Sequence, residues 1–249
     1  MPTESKDTKP GGIQFYGGYE VYSESGIDLT LLRQNLRRPV EVLMENNNQA
    51  VKFVDEVQSS SSVAAVAERC KSRKLWMFDA EAAIKHLCAC KVEFVVIGGI
   101  AMIAQGSAHI TTDLDICYAR TPENIAKTAA AFAGIHPYLR GAPPGLPFRF
   151  DAPTIAAGLN FTLITDFGDI DLLGEVTGVG SYSSVLAQSL EKTMYGLTVR
   201  VLSVDGLIAA KNAAGRTKDR LHLLELEELK KMLESKQKDL QKVTEEMEK

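Results

Sequence analysis

The chain has 249 residues, of which 45% are hydrophobic, so it is long enough for one large globular domain or for a domain with an appendage. Its formal net charge of −4 does not indicate a nucleic-acid-binding protein, although the total charge leaves room for a local basic patch. No apolar run approaches the ~20 residues of a membrane-spanning helix and no signal peptide is recognisable, so we predict a cytoplasmic protein without membrane contact.

The first part of the chain predicts an appendage rather than the main domain. Residues 1–18 are polar and contain Pro and Gly, which is typical of a disordered lead-in. Residues 19–62 predict two helices, the first capped by Ser25 or Asp28, followed by a linker of four serines at positions 59–62. We therefore divide the chain into this appendage, a main domain at 63–228 and a charged C-terminal helix at 229–249.

The stretch at 92–118 is the one around which the main domain is organised. Its apolar, β-branched run at 94–97 predicts a buried strand, and the tight turn that follows contains Gly98 and Gly99. A short helix is predicted at 100–105, and its free N–H groups and positive dipole end would face the two glycines. That geometry suits a phosphate.

The next segment predicts a metal site. Apolar and polar residues alternate after Thr111, so Asp113 and Asp115 project from one face of a strand while Leu114 and Ile116 enter the core. Two carboxylates this close repel each other unless a hard cation lies between them, and Mg²⁺ is the usual one. A phosphate cradle followed by paired carboxylates predicts a place for a nucleoside triphosphate.

This pattern of an apolar strand, Gly-Gly, a spacer and Asp-apolar-Asp-apolar resembles the signature of the DNA polymerase β-like nucleotidyltransferase superfamily. The chain looks most like the minimal bacterial AbiEii/MenA-type branch, found among toxin–antitoxin and phage-defence proteins, and the resemblance runs over about 92–228. It implies an α+β fold with a mixed sheet flanked by helices, to which the N-terminal helical appendage and the C-terminal helix are added.

Further along, strands at 159–165 and 169–173 predict a hairpin. Asp169 and Asp171 share a face of the second strand, so alternation does not choose between them. The resemblance favours Asp171 as a third metal-binding carboxylate, with Asp169 in a turn or supporting role and Glu175 as a weaker candidate.

Other elements are predicted more briefly. A helix begins at Thr121-Pro122 and ends at Gly134, and a Pro- and Gly-rich loop follows at 136–147. Arg140 and Arg149, in and beside this loop, either meet a phosphate or an acidic acceptor or are simply solvated. Further predictions are a helix at 63–69, a helix at 78–89 with Asp79 as its N-cap, a strand at 148–150, a helix at 185–190, a strand at 197–202 and a helix that starts at Ser203 or Asp205 and ends near Gly215.

The segment KNAAGRTKD resembles the C-terminal signature of the family. The resemblance implies that Lys211 reaches the triphosphate and that Lys218 and Asp219 fix the adjoining helix; the alternative is ordinary helix-end cations. Two departures stand out: His222 replaces a second acid, and His109 replaces an arginine. Either a subset of the family uses a histidine at this position, or binding of the triphosphate is weaker. The implied nucleotide-binding residues are Gly98, Gly99, His109, Thr111, Lys211 and Lys218.

The resemblance implies transfer of a nucleoside monophosphate from an NTP to a hydroxyl of an RNA (tRNA) or protein acceptor. Two Mg²⁺ ions, with Mn²⁺ as the alternative, would be held by the catalytic carboxylates Asp113, Asp115 and Asp171. The alternatives are a catalytically weak antitoxin or scaffold and a small-molecule, aminoglycoside-type nucleotidyltransferase. A cognate toxin or antitoxin is an expected partner, and the C-terminal helix is either solvated or the contact of a homodimer.

Overall fold

The structure is a computed structural model that describes residues 21–60, 78–143, 145–217 and 219–247, with only the backbone described at 55–60, 240 and 247. The predicted disordered lead-in, a helix predicted at 63–69 and Lys218 lie outside the described residues. The described helices are α1 (Leu29–Asn35), α2 (Val40–Ser60), α3 (Ala80–Ala89), α4 (Gly98–Ala104), α5 (Pro122–Ala133), α6 (Ala152–Ala157), α7 (Tyr182–Ala187), α8 (Val204–Ala214) and α9 (Asp219–Met247).

A mixed sheet forms the centre of the fold. The described strands are β1 (Phe94–Ile97), β2 (Asp113–Tyr118), β3 (Tyr138–Leu139), β4 (Asn160–Thr165), β5 (Gly168–Leu173), β6 (Glu175–Val176), β7 (Gly180–Ser181), β8 (Ser189–Met194) and β9 (Leu197–Leu202). In the described residues seven of them form one sheet in the order β3-β4-β5-β2-β1-β9-β8, and β6 pairs with β7 separately. The predicted α+β fold, a mixed sheet flanked by helices, is confirmed.

The sheet gains its mixed character at β2 and β1. Strand β2 runs antiparallel to β1 but parallel to β5, and β1 runs parallel to β9. All four residues of β1 are buried, as expected for a central strand covered on both faces. In β2 the first four residues alternate between half-buried aspartates and buried aliphatic side chains, so the aspartates stand on the face that the core does not use.

The N-terminal helices pack on the main domain. Leu32 of α1 and Met44 of α2 are fully buried and belong to the same hydrophobic core as the central strands. Helix α2 continues through Ser59 and Ser60, half of the predicted linker, and the other two serines lie outside the described residues. The predicted domain boundary at this linker stays a prediction.

Capping residues explain where several helices begin. Asp28, rather than Ser25, caps α1 and accepts hydrogen bonds from the amides of Thr30 and Leu31. Thr121 caps α5, whose first residue is a proline, and accepts a hydrogen bond from the Asn124 amide. Ser203, rather than Asp205, caps α8. The predicted end of α8 at Gly215 is also confirmed, because that glycine has a φ of +61° in the left-handed region.

Two predictions near the edges of the sheet were wrong. Residues 148–150 form no strand, since Phe148 and Phe150 pack their rings in an aromatic cluster and Asp151 already caps α6. The short strand β3 lies instead inside the predicted loop. Residues 189–190, predicted as helix, begin the strand β8, which has a polar edge-strand sequence that hides the alternation.

The turn between β8 and β9 contains a sequence signal for this hairpin. Tyr195 and Gly196, between β8 and β9, both have positive φ values of 54° and 76°, as a two-residue hairpin turn of the primed type requires. A Tyr-Gly pair between two short polar segments is a weaker hairpin signal than Asn-Gly, so sequence reasoning missed it.

The C-terminal helix is continuous from Asp219 to Met247 and has two different halves. Leu226 and Leu229 are buried in the core, and Met232 and Leu233 pack against it. The described side chains after Leu233 are exposed, including Val243. No helix in the described ranges is both long and apolar enough to cross a membrane.

Candidate active site

The glycine pair lies at the start of α4, directly after the buried strand β1. Gly98 has a φ of +61°, which disfavours any residue with a side chain. A Cβ atom at Gly98 would lie 1.9 Å from Asp115 Oδ2, and one at Gly99 would lie 2.4 Å from Thr111 Oγ1. The two glycines therefore leave space for the side chains of Asp115 and Thr111, and the Gly99 amide donates a hydrogen bond to the Asp115 carboxylate.

We expect Gly98→Ala to reduce stability more than Gly215→Ala, a matched control with the same φ of +61° and with no surrounding atom within 4 Å of the position that a Cβ would occupy. The control isolates the left-handed backbone, which costs about 1–2 kcal/mol in an L residue. Overlap with Asp115 adds about 1–3 kcal/mol at Gly98. Urea unfolding of both variants measures the difference, and equal losses would contradict the close packing of Asp115 over Gly98.

The carboxylates come together because β2 and β5 are parallel neighbours in register. Asp113 pairs with Asp169 and Asp115 pairs with Asp171, so all four side chains stand on one face of the sheet. Carboxylate oxygens of Asp113, Asp115 and Asp171 lie within 4.8 Å of one another. The structure thus brings together the three carboxylates that the sequence predicts as metal ligands.

Crowding of these acids shows in their protonation. Burial, followed by the charges of Asp113 and Asp171, raises the pKa of Asp115 to about 7. Burial also raises the pKa of Asp171, with a further contribution from Asp113, although Arg140 acts in the opposite direction. Such a site holds more negative charge than the protein around it neutralises.

The donor set fits a hard divalent cation. Carboxylate oxygens are the ligands that Mg²⁺ and Mn²⁺ prefer, and a small separation between three of them matches a shared ion. Bound divalent charge would also remove the repulsion that raises the pKa of Asp115. Asp113, Asp115 and Asp171 are the residues that would hold it.

Arg140 lies against the acids, which sequence reasoning did not foresee. Its guanidinium forms an ion pair with Asp169 at 3.0 Å and a second one with Asp171. Asp169 is the more exposed of the two acids, with a side-chain exposure of 36% against 17% for Asp171. Arg140 therefore pairs with both Asp169 at the edge of the group and Asp171 within it. Arg149, in contrast, is 88% exposed and pairs only loosely with Asp151 at 3.7 Å.

A second cluster contributes positive charge. Lys211 Nζ donates hydrogen bonds to Asp219 Oδ1 at 3.0 Å and to His222 Nδ1 at 3.1 Å. His222 in turn packs its ring edge-on against His109, with 4.3 Å between the ring centroids. Asp219, expected to act with Lys218, is thus bonded to Lys211.

The second cluster favours a neutral His222 and an ionised Asp219. Burial, followed by the nearby Lys211 ammonium, lowers the pKa of His222. Burial opposes ionisation of Asp219, but its hydrogen bond and charge interaction with Lys211 prevail and lower its pKa. A neutral His222 therefore adds no charge to this wall of the site.

Both clusters line one cavity of about 470 Å³. It contains the predicted residues Gly98, Gly99, His109, Thr111, Asp113, Asp115, Asp171 and Lys211, together with Arg140, Arg216, Asp219 and His222. Of the predicted nucleotide-binding residues only Lys218 lies outside the described part of the chain. Separate stretches of sequence thus converge on a cavity with carboxylates and cations in its lining.

Comparison with known proteins gives only distant matches. No protein-family model and no curated protein matches the chain. Among solved structures, the lincosamide antibiotic adenylyltransferase LnuA bound to lincomycin matches with a TM-score of 0.41 and 11% identity, over 59% of this chain and 94% of that one.

Two further solved structures match at a similar level. TM1012 of Thermotoga maritima, described as a nucleotidyltransferase, has a TM-score of 0.38 and 16% identity over 66% of this chain and 99% of its own. The antibiotic-resistance factor ANT(2'')-Ia has a TM-score of 0.40 and 13% identity over 67% and 97%. At these scores the function has to be inferred from the site's own geometry.

Proposed function

We propose that the chain is a divalent-metal-dependent nucleotidyltransferase, which transfers a nucleoside monophosphate from an NTP to a hydroxyl. The observation that carries this proposal is the convergence of Asp113, Asp115 and Asp171 within 4.8 Å, in a cavity that Lys211 and Arg216 also line. A metal-bound triphosphate requires carboxylates that hold the metal ions and positively charged side chains that bind the phosphates.

Each ligand carboxylate has a proposed role. Asp113, Asp115 and Asp171 would together hold the divalent ions, Mg²⁺ or Mn²⁺. When bound, the ions supply Lewis acidity at the phosphate oxygens and neutralise developing charge. Burial raises the pKa of Asp171 from its ordinary value, which suits this carboxylate to accept the proton of the acceptor hydroxyl.

The proposed reaction is an in-line displacement at the α-phosphorus of the NTP. The acceptor oxygen forms a bond to the α-phosphorus while the bond from that phosphorus to the α,β-bridging oxygen breaks, and pyrophosphate leaves. Lys211 places positive charge where the leaving group gains negative charge, since two of its three N–H donors are used by Asp219 and His222 and one is left for a phosphate. Gly98, Gly99, Thr111 and His109 line the same cavity beside it.

For the acceptor we retain the hydroxyl of an RNA, such as a tRNA, or of a protein. A role as a toxin or phage-defence component with a cognate antitoxin follows from the family resemblance. The exposed last turns of α9, with Val243 at the surface, suit the proposed homodimer contact. A non-catalytic scaffold has no physical reason to keep three mutually repelling acids in a cavity, which argues against the antitoxin alternative.

Labelling with nucleotide tests the proposal. The full chain is incubated with each α-labelled NTP and Mg²⁺, separately with total RNA, cell lysate and a panel of aminoglycosides and lincosamides. We expect label transfer by the wild type that disappears in Asp113→Ala plus Asp115→Ala. Transfer to the small molecules alone would show that the acceptor is a small molecule rather than an RNA or a protein. Equal labelling by the wild type and the double variant would overturn the proposed nucleotidyltransferase activity.

A further inference from the structure

The loop between α4 and β2 carries two side chains of the site, His109 and Thr111, but has no regular secondary structure of its own. Side chains from distant elements hold it. Glu225 of α9 accepts hydrogen bonds from Ser107 Oγ at 2.9 Å and from the Ala108 amide at 2.6 Å. Helices that lie far away in sequence therefore set the conformation of this loop.

Asn47 of α2 makes the most specific of these contacts. Its Nδ2 donates to the Thr111 carbonyl oxygen at 3.1 Å, and its Oδ1 accepts from the Thr111 amide at 2.9 Å. The residue is only 4% exposed, so both hydrogen bonds are shielded from water and neither can be replaced cheaply by solvent. Asn47 thus binds the backbone of one residue at two points, as a neighbouring strand would.

Thr111 transmits this constraint to the acids. Its Oγ1 donates a hydrogen bond of 2.6 Å to Asp113 Oδ1, and its side chain packs over Gly99. Because Asn47 fixes the backbone of Thr111, it fixes where this hydroxyl lies. A continuous path of hydrogen bonds therefore runs from Asn47 in the N-terminal helices through Thr111 to Asp113.

We propose that Asn47 is a positioning residue for the metal-binding carboxylate Asp113, so that helix α2 is part of the catalytic unit rather than an appendage to it. This inference rests on the proposed function, because it assigns the outer support of the same metal site. Groups that orient metal ligands through a hydrogen bond are worth about 10–100-fold in metal affinity or activity.

A purely structural role is the competing explanation, and Asn35 provides the matched control. Asn35 is also a buried asparagine of the N-terminal helices, 6% exposed, and it also bonds this loop, donating to the Ser107 carbonyl oxygen at 3.4 Å. It does not contact Thr111 in the described hydrogen bonds. Loss of either amide is expected to weaken folding, but only loss of Asn47 should change the metal site.

The test is Mn²⁺ binding to the full chain, measured by electron paramagnetic resonance, for wild type, Asn47→Ala, Asn35→Ala, Thr111→Val and the Asn47→Ala/Thr111→Val double variant. We expect Asn47→Ala and Thr111→Val each to weaken Mn²⁺ binding by about tenfold, within the range for groups that support a metal ligand. The double variant should lose much less than the product of the single losses, because both act on Asp113 by one path.

The outcomes separate the two proposals. If wild type binds no Mn²⁺ at the three acids, the proposed function fails. If wild type binds Mn²⁺ and Asn47→Ala binds it equally well, or if Asn35→Ala loses as much affinity as Asn47→Ala, the positioning role fails while the metal site stands. Fully multiplicative losses in the double variant would also overturn the path through Thr111.

Discussion

Replacing Asp171 by asparagine is expected to lower the rate of nucleotidyl transfer at least about 1,000-fold, since a bound divalent ion contributes several kcal/mol to the transition state. Asparagine keeps the shape of the side chain but loses the charge that holds the ion and the basicity that accepts the acceptor's proton. The KM for the nucleotide should change little, because Asp113, Asp115 and Lys211 remain. Steady-state kinetics on the labelled acceptor measure both quantities.

Asp169→Asn is the matched control for this experiment. Asp169 lies two residues away on the same face of β5, but its described partner is Arg140 at 3.0 Å and it does not belong to the group of three acids. We expect it to lower the rate less than about tenfold, at the lower end for a residue that supports a metal ligand. A loss as large as that of Asp171→Asn would show that the third ligand has been wrongly assigned.

The second large effect concerns stability without metal. Asp115 has a pKa of about 7 in the folded protein against 3.8 as a free side chain. At a pH between these two pKa values, the folded protein keeps a proton on Asp115 that the unfolded chain releases. The free energy of unfolding therefore falls as pH rises from about 4 to about 7. A shift of this size corresponds to roughly 4 kcal/mol at pH 8.

Asp115→Asn should remove this penalty. In EDTA at pH 8 we expect the variant to be more stable than wild type by about 2–4 kcal/mol, with a flatter pH dependence, while at pH 4 the two should be nearly equal. Mg²⁺ should stabilise the wild type and leave the variant almost unchanged. Urea titrations at these two pH values measure the difference.

Asp79→Asn is the control for a general effect of the substitution, because Asp79 is an exposed helix cap and asparagine caps helices equally well. A wild type that keeps the same stability from pH 4 to pH 8 in EDTA would contradict the crowding of the three carboxylates.

Local rules explain which parts of the fold were predictable. The apolar run of β1, the alternation of β2 and the capping residues of α3 and α5 each lie within a few neighbouring positions, and the structure confirms them. The strand β8 was missed because its polar residues face solvent at the sheet edge, where no apolar period is needed. The strand predicted at 148–150 was wrong because the packing of the Phe148 and Phe150 rings, rather than a ladder of backbone hydrogen bonds, places these residues.

The site divides in the same way. Alternation put Asp113 with Asp115 and Asp169 with Asp171, but the pairing of β2 with β5 depends on chain topology that no short motif contains. Arg140 and Asn47 were not foreseen as neighbours of the acids. Arg140 is 31 residues from Asp171, and Asn47 is 64 residues from Thr111, so their contacts depend on how loops and helices pack.

The most direct measurement is an anomalous difference map from crystals grown with Mn²⁺ and a non-hydrolysable NTP analogue. We expect peaks about 2 Å from carboxylate oxygens of Asp113, Asp115 and Asp171, the distance of direct coordination, with the triphosphate beside them. A map in which Mn²⁺ lies elsewhere, or in which these three carboxylates hold no ion while the nucleotide is bound, would contradict the assignment of this cavity as a metal-dependent nucleotidyltransferase site.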